Sequence, residues 1–265
     1  MTTLTRSDTA PADRLRQVAV TVAELFCVVG TLVGVGVIGT RVAESAGGAL
    51  AADATLIAPA GPAFAIWTPI YLGLAGFTVY QWLPTQTAEP RHRAIGWLAA
   101  ASMVLNAAWL LVTQQNWIWV SVVVMAALVV VLGVLVLRLQ EHPSYGHGET
   151  VLVDGTFGLY LGWVAVAACA NVTAALVASG VDPGGIVAEL AAVVVIAVAA
   201  AVGVLLARRL GGRWAVAVAM AWGLLWIAWG RLAAEPHSVV VALAAVVAAV
   251  VVLVAAAREH SVQVG

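Results

Sequence analysis

Three groups of aromatic and amide residues recur at helical spacing. Trp67 and Tyr71 stand four apart, Asn106 and Trp109 three apart, and Tyr160, Trp163, Ala167 and Asn171 follow one stripe of a helix. An asparagine inside an apolar segment has no partner in lipid, so Asn106 and Asn171 must face other protein groups. The tryptophans on the same faces then turn inward as well. Two chemistries fit this pattern. One is interhelical hydrogen bonding, with tryptophan filling volume. The other is a cavity with aromatic walls and a few polar groups, which suits a flat hydrophobic ligand. Glu24 also lies in an apolar run. It reads either as a proton site for coupled transport or as a carboxyl kept neutral or reaching the interface near Arg16.

Other chemistries lack their residues. The chain has no lysine, so a Schiff-base mechanism has no amine. Cys27 and Cys169 both fall in apolar runs and read as small buried hydrophobes. His92, His142, His147, His237 and His260 fall in loops or tails, which leaves a haem iron without a histidine ligand inside a span. His142 and His147 flank a Pro-Ser-Tyr-Gly turn with no cysteine or acid at zinc spacing. No phosphate-binding loop, nucleophile elbow or nucleophile–base pair is present. No catalytic residue and no metal site is therefore assigned.

The elements that hold these groups follow from composition. Of 265 residues, 63% are apolar and 9% charged, and the mean hydropathy is +1.03. A soluble domain carries about 25% charged residues, so this chain cannot cover a water-facing surface. The net charge of -1 and the absence of a basic patch exclude a nucleic-acid partner. The long apolar runs differ from the alternating segments of about ten residues in a transmembrane barrel. The expected fold is an all-α, polytopic transmembrane helical bundle. Eight runs reach the roughly 20 residues that cross a bilayer: 18–40, 62–83, 94–112, 117–139, 155–178, 185–207, 214–232 and 238–257.

With the N-terminus inside, ten arginines fall on cytoplasmic segments and two, Arg41 and Arg231, fall outside. That bias predicts an N-in, C-in topology. Arg231 then reads as an interfacial anchor, and Asp154 and Glu189 as interfacial acids. Residues 1–14 are polar and expected to fray. Pro69 should bend the second helix near Ala65, whose carbonyl loses its donor. Gly30-x-x-x-Gly34 predicts a close helix contact. Trp82, Trp97, Trp117, Trp119 and Trp214 sit at span ends, as an interfacial belt requires. Trp222, Trp226 and Trp229 form a further stripe that reads as packing. No internal repeat is visible.

Depth brings the first groups together. At about 1.5 Å per residue, Trp67 lies roughly 8 Å and Tyr71 roughly 14 Å below the outer end of the second span. Asn106 and Trp109 lie about 9 and 5 Å from the outer end of the third, and Asn171 about 10 Å from that of the fifth. The loop 41–61 is long enough to fold over them.

These residues resemble a known family. Trp67-Thr68-x-x-Tyr71, Leu105-Asn106-x-x-Trp109 and Tyr160-Leu161-x-Trp163 with Ala167 and Asn171 resemble, in order, motifs of the second, third and fifth helices of the tryptophan-rich sensory protein (TspO), translocator-protein family. The resemblance covers about 18–178. It departs where the family's proline two residues before the first tryptophan is Ala65, with Pro69 appearing instead, and where three further spans follow a family that usually ends at five. It implies a division into a polar cytoplasmic N-terminus (1–17), a five-helix core (18–178), three additional helices (179–257) and a cytoplasmic tail (258–265).

The resemblance also implies a pocket for tetrapyrroles such as porphyrin, covered by the loop between the first two helices, with no cofactor required. Carried over by residue, the lining is Trp67, Tyr71, Asn106, Trp109, Trp163 and Asn171. The roles it implies are sensor or carrier of a small hydrophobic ligand, with proton-coupled transport through Glu24 and light-dependent porphyrin degradation as alternatives. Without a catalytic constellation, the enzyme ranks last. The implied setting is the lipid bilayer of a bacterial-type cytoplasmic (inner) membrane, spanned several times, with a homodimer compatible. A sterol-contact pattern is absent at all four tyrosines.

Overall fold

The computed structural model describes residues 10–264. Eight long helices follow in order: α1 Pro11–Gly34, α2 Trp67–Tyr80, α3 Pro90–Gln114, α4 Ile118–Glu141, α5 Thr156–Ala178, α6 Gly185–Arg209, α7 Trp214–Ala233 and α8 Val239–Val264. A 3₁₀ segment, Gly61–Ile66, leads into α2, and an α turn and a π turn, His147–Glu149 and Thr150–Gly155, lead into α5. Among the described residues there is no strand. With these lead-ins, all eight are long and apolar enough to cross a membrane.

Helix starts differ most from the sequence expectation. α1 begins at Pro11 rather than residue 18 and ends at Gly34 rather than 40. Pro11 occupies the first helical position, where a missing N–H costs nothing, and the Asp13 carboxylate accepts the Ala10 N–H at 2.9 Å. Two polar turns therefore join the helix, and residues 10–14 are not frayed; residues 1–9 lie outside the described part. α3 starts at Pro90 by the same device. His92 consequently sits inside a helix, buried and stacked on Phe77 at 5.5 Å, not in a loop. α8 runs to Val264, so the expected tail is helical apart from Gly265, which is outside the described residues. The bend expected from Pro69 falls where 3₁₀ geometry gives way to α at Trp67.

Packing order is not chain order. α1 packs on α3, α3 on α4 and α4 on α5, and α2 touches both α5 and α1 and closes a five-helix ring. α7, not α6, docks on α5; α8 packs on α7, and α6 on α8. Small residues set the closest approaches. A Cβ on Gly30 would stand 2.8 Å from Ala107 Cβ, and one on Gly162 would collide with the Val216 carbonyl of α7.

The alternation of eight helices puts residues 10 and 264 at one end, the terminal end. The other, the loop end, carries the long α1–α2 connection. At the terminal end Asp13 takes two hydrogen bonds from Arg93 at 2.7 and 2.6 Å and stands 3.6 Å from Arg16. Arg91 meets Asp154 at 2.6 Å and Glu149 at 3.4 Å, and Arg213 of the α6–α7 turn also bonds Asp154. Asp154 is thus a cross-link between the ring and α7 rather than a free interfacial acid.

Candidate functional site

At the loop end, a cavity opens inside the five-helix ring. Trp67 from α2, Asn106 and Trp109 from α3, and Trp163 and Asn171 from α5 line it. α4 adds Met125 and Leu128, and the α1–α2 loop closes it with Val42, Leu50 and Thr55. Five of the six residues singled out by spacing therefore share one wall. The sixth, Tyr71, stands behind: its hydroxyl accepts a hydrogen bond from Asn106 Nδ2 at 3.1 Å.

Each polar group is held. Asn106 Nδ2 also lies 3.4 Å from Cys27 Sγ, tying α3 to α1. Trp109 Nε1 donates to Asn171 Oδ1 at 2.7 Å, and Asn171 Nδ2 donates to Ser121 Oγ at 3.0 Å. This chain of bonds joins α3, α5 and α4. The two asparagines thus serve both chemistries weighed above: they join helices and they line a cavity.

The aromatic wall is continuous. Trp67 stacks on Tyr71 at 5.0 Å and 15°. It meets Tyr160 and Trp163 edge-on at 5.7 and 6.3 Å, and Phe64 meets Trp163 edge-on at 5.5 Å. Such offsets are favourable aromatic geometries. Trp109 and Trp163 are 8% and 1% exposed, so their burial is not that of an interfacial belt. By contrast Trp82, Trp97, Trp117, Trp119 and Trp214 are all exposed.

Space decides what the cavity can hold as it stands. Its free volume is about 60 Å³, well under the ~300–1,000 Å³ of small-molecule sites. A ring system larger than a few atoms needs the loop to move.

Glu24 is buried one turn of α1 from Cys27, toward the terminal end, and its Oε2 has no hydrogen-bond partner. It does not reach Arg16, whose Nη2 instead donates to the Thr87 carbonyl at 2.8 Å. His92 lies 14 residues before Asn106 on α3, about 21 Å along the helix axis, and so does not serve this cavity.

Sequence reasoning missed three participants. Phe64 lies one helical turn before Trp67 within the second expected span, and the loop residues lie outside any helical period. Ser121 sits in the first turn of α4, a lone hydroxyl on its buried side. Arg231 is 1% exposed rather than an interfacial anchor, and it donates to the carbonyls of Thr55, Ala52 and Pro236 at 3.1, 2.9 and 3.0 Å. Its signal was the buried face Gly223, Ile227 and Arg231, at i, i+4 and i+8 of α7. From the same helix, Trp222 Nε1 donates to the Ala63 carbonyl at 2.8 Å. Arg231 and Trp222 of α7 therefore both bond to the chain between α1 and α2.

Comparison with known sequences gives one finding. The family model described as TSPO-like protein matches residues 18–257, which takes in the last three helices as well as the first five. No curated protein and no solved structure matches the chain.

Proposed function

The chain belongs to the TSPO-like protein family and is a multi-pass membrane protein, and on that premise we propose that it binds a flat hydrophobic ligand, a tetrapyrrole such as protoporphyrin, in the aromatic cavity under the α1–α2 loop, as a sensor or carrier. The observation that carries this reading is the convergence of Trp67, Trp109 and Trp163 on one cavity with two amides at its wall. The indole faces stack on the ring; Asn106 and Asn171 orient it, and Tyr71 acts from behind by holding Asn106. The loop swings aside to admit the ligand and closes over it. The membrane is the bacterial-type cytoplasmic one, with the loop end outside, as the arginine bias indicates.

The test is quenching of tryptophan fluorescence by protoporphyrin IX in purified protein. Wild type should saturate. Trp109→Ala and Asn106→Ala should each weaken binding about tenfold, the scale of one lost aromatic or polar contact. Trp117→Ala, at an exposed position away from the cavity, should not. Equal affinity in wild type, Trp109→Ala and Asn106→Ala would remove the site.

Glu24 favours a second reading, a proton-coupled carrier. Its carboxyl is buried below the cavity with an unpartnered oxygen, as expected of a group that takes up and releases a proton during transport. Uptake into proteoliposomes should then respond to a pH gradient and lose that response in Glu24→Gln. Uptake that ignores both would remove the coupling and leave the binding site standing.

A further inference from the structure

Beside the aromatic cavity lies a second and roomier one. It runs between the ends of α5 and α6 and the α7–α8 turn, lined among others by Thr173, Leu176, Ile186, Glu189, Ala192 and His237. Its volume is about 620 Å³, against about 60 Å³ for the aromatic cavity. α6 packs mainly on α8 and only lightly on α5, and the crevice is the gap this leaves. Its walls are mostly apolar, and Ile186 among them is exposed.

Thr55 lines both cavities. Residues 54–56 of the α1–α2 loop are therefore the partition between them. Arg231 holds that partition from α7, through the Ala52 and Thr55 carbonyls, and ties it to the α7–α8 turn through the Pro236 carbonyl. The hold is incomplete. Arg231 Nε and Thr55 Oγ1 are buried without hydrogen-bond partners, and among the described residues no carboxylate forms an ion pair with Arg231. A buried guanidinium bound only to carbonyls keeps much of its desolvation cost. Opening the segment it grips breaks hydrogen bonds to carbonyls and no ion pair.

We propose that the crevice between α5 and α6 is a second binding site, an antechamber through which a flat hydrophobic ligand passes from the membrane to the aromatic cavity, with Arg231 closing the partition at residues 54–56. This rests on the reading of the aromatic cavity as a ligand site. The antechamber carries Asp182 and Glu189 and no arginine among its lining residues, so it takes a neutral ring in preference to one bearing carboxylates.

The experiment uses the neutral protoporphyrin IX dimethyl ester with the full-length protein in lipid nanodiscs, followed by stopped-flow fluorescence. Ala188 lines the crevice and is half-buried; Ala188→Trp fills it. That variant should slow association and dissociation alike by about tenfold, leaving the affinity of the aromatic cavity unchanged. Arg231→Gln, which removes the charge and shortens the reach but keeps an amide donor, should speed both by about tenfold, the scale of one charge-assisted hydrogen bond. Arg231→Lys, which keeps the positive charge on a compact ammonium but loses the guanidinium fork, should fall between and guards against a misfolded Gln variant.

A readout without porphyrin separates the two readings. Ala174 is buried and lines the aromatic cavity. In a Cys27→Ala, Cys169→Ala background, a cysteine substituted for Ala174 should react with a membrane-soluble maleimide more slowly in Ala188→Trp and faster in Arg231→Gln. If labelling follows this pattern while the ester fails to bind, the antechamber stands and the ligand reading falls. If the ester binds but neither rates nor labelling respond to either variant, the antechamber is overturned and the ligand reading stands.

Discussion

The two ends of the bundle treat buried arginine differently. At the terminal end, Arg16, Arg91 and Arg213 each face a carboxylate, and Asp13 and Asp154 each serve two arginines. At the loop end, Arg231 meets only backbone carbonyls. Breaking a buried ion pair strands a charge at a cost of several kcal/mol, whereas exchanging one carbonyl for another acceptor is cheap. The terminal end is thus a fixed frame that clamps α1, α3, the approach to α5 and α7. The loop end is a cover that can open without disturbing that frame. A site that must admit a ligand larger than its resting cavity needs both.

The sharpest way to break this contrast is Asp154→Ala. It takes from Arg91, which is 1% exposed, the closer of its two carboxylates, leaving Glu149 at 3.4 Å, and it takes from Arg213 its carboxylate partner. Breaking such pairs costs about 3–5 kcal/mol, so thermal unfolding in detergent should begin far lower, while folded protein keeps its affinity for protoporphyrin IX. If stability hardly changes, the terminal end is not the frame.

Gly162→Leu should come next. It drives a side chain into the Val216 carbonyl and Ala219 of α7, an overpacking cost of about 1–3 kcal/mol. Gly133→Ala, which meets open space, should be neutral or slightly stabilising. Limited proteolysis of the α5–α6 turn should quicken in the first variant only, since α7 is the helix that docks the last three on α5.

Asn171→Ala sharpens the contrast from the other side. It leaves Trp109 Nε1 without its acceptor and Ser121 without its donor. Hydrogen bonds between membrane helices average about 0.6 kcal/mol and reach about 1.7. Stability should therefore fall by about 1 kcal/mol, while protoporphyrin affinity falls about tenfold as Trp109 loses its orientation. Trp119→Phe should be the mildest change. Its indole donates to Ser179 Oγ at an exposed site, and an effect within about 0.5 kcal/mol in unfolding, with unaltered binding, is expected there.

What the sequence made legible follows the same division. Apolar runs locate eight helices because bilayer thickness imposes a minimum length on each. They do not locate helix starts: Pro11 with Asp13, and Pro90, recruit polar turns that hydropathy assigns to loops. The cavity wall was legible because Trp67, Asn106, Trp109, Trp163 and Asn171 sit at helical spacing and because an amide has nowhere to go in lipid. Its cover was not, since Leu50 and Thr55 obey no period. Arg231 was misread because an arginine near a span end ordinarily anchors at the interface; its place on the Gly223–Ile227 face was the better guide. The docking of α7 on α5 left one trace, the Gly158-x-x-x-Gly162 pair, whose added Cβ atoms would strike Ala215, Val216 and Ala219.

The central claim is that the aromatic cavity under the α1–α2 loop holds the ligand. The measurement that meets it most directly is an experimental structure of the protein in lipid nanodiscs with protoporphyrin IX. The account predicts the ring between Trp67, Trp109 and Trp163, the loop displaced from its present position, and the ion pairs of Asp13 and Asp154 unchanged. A ring bound elsewhere, with the cavity still closed, would contradict it.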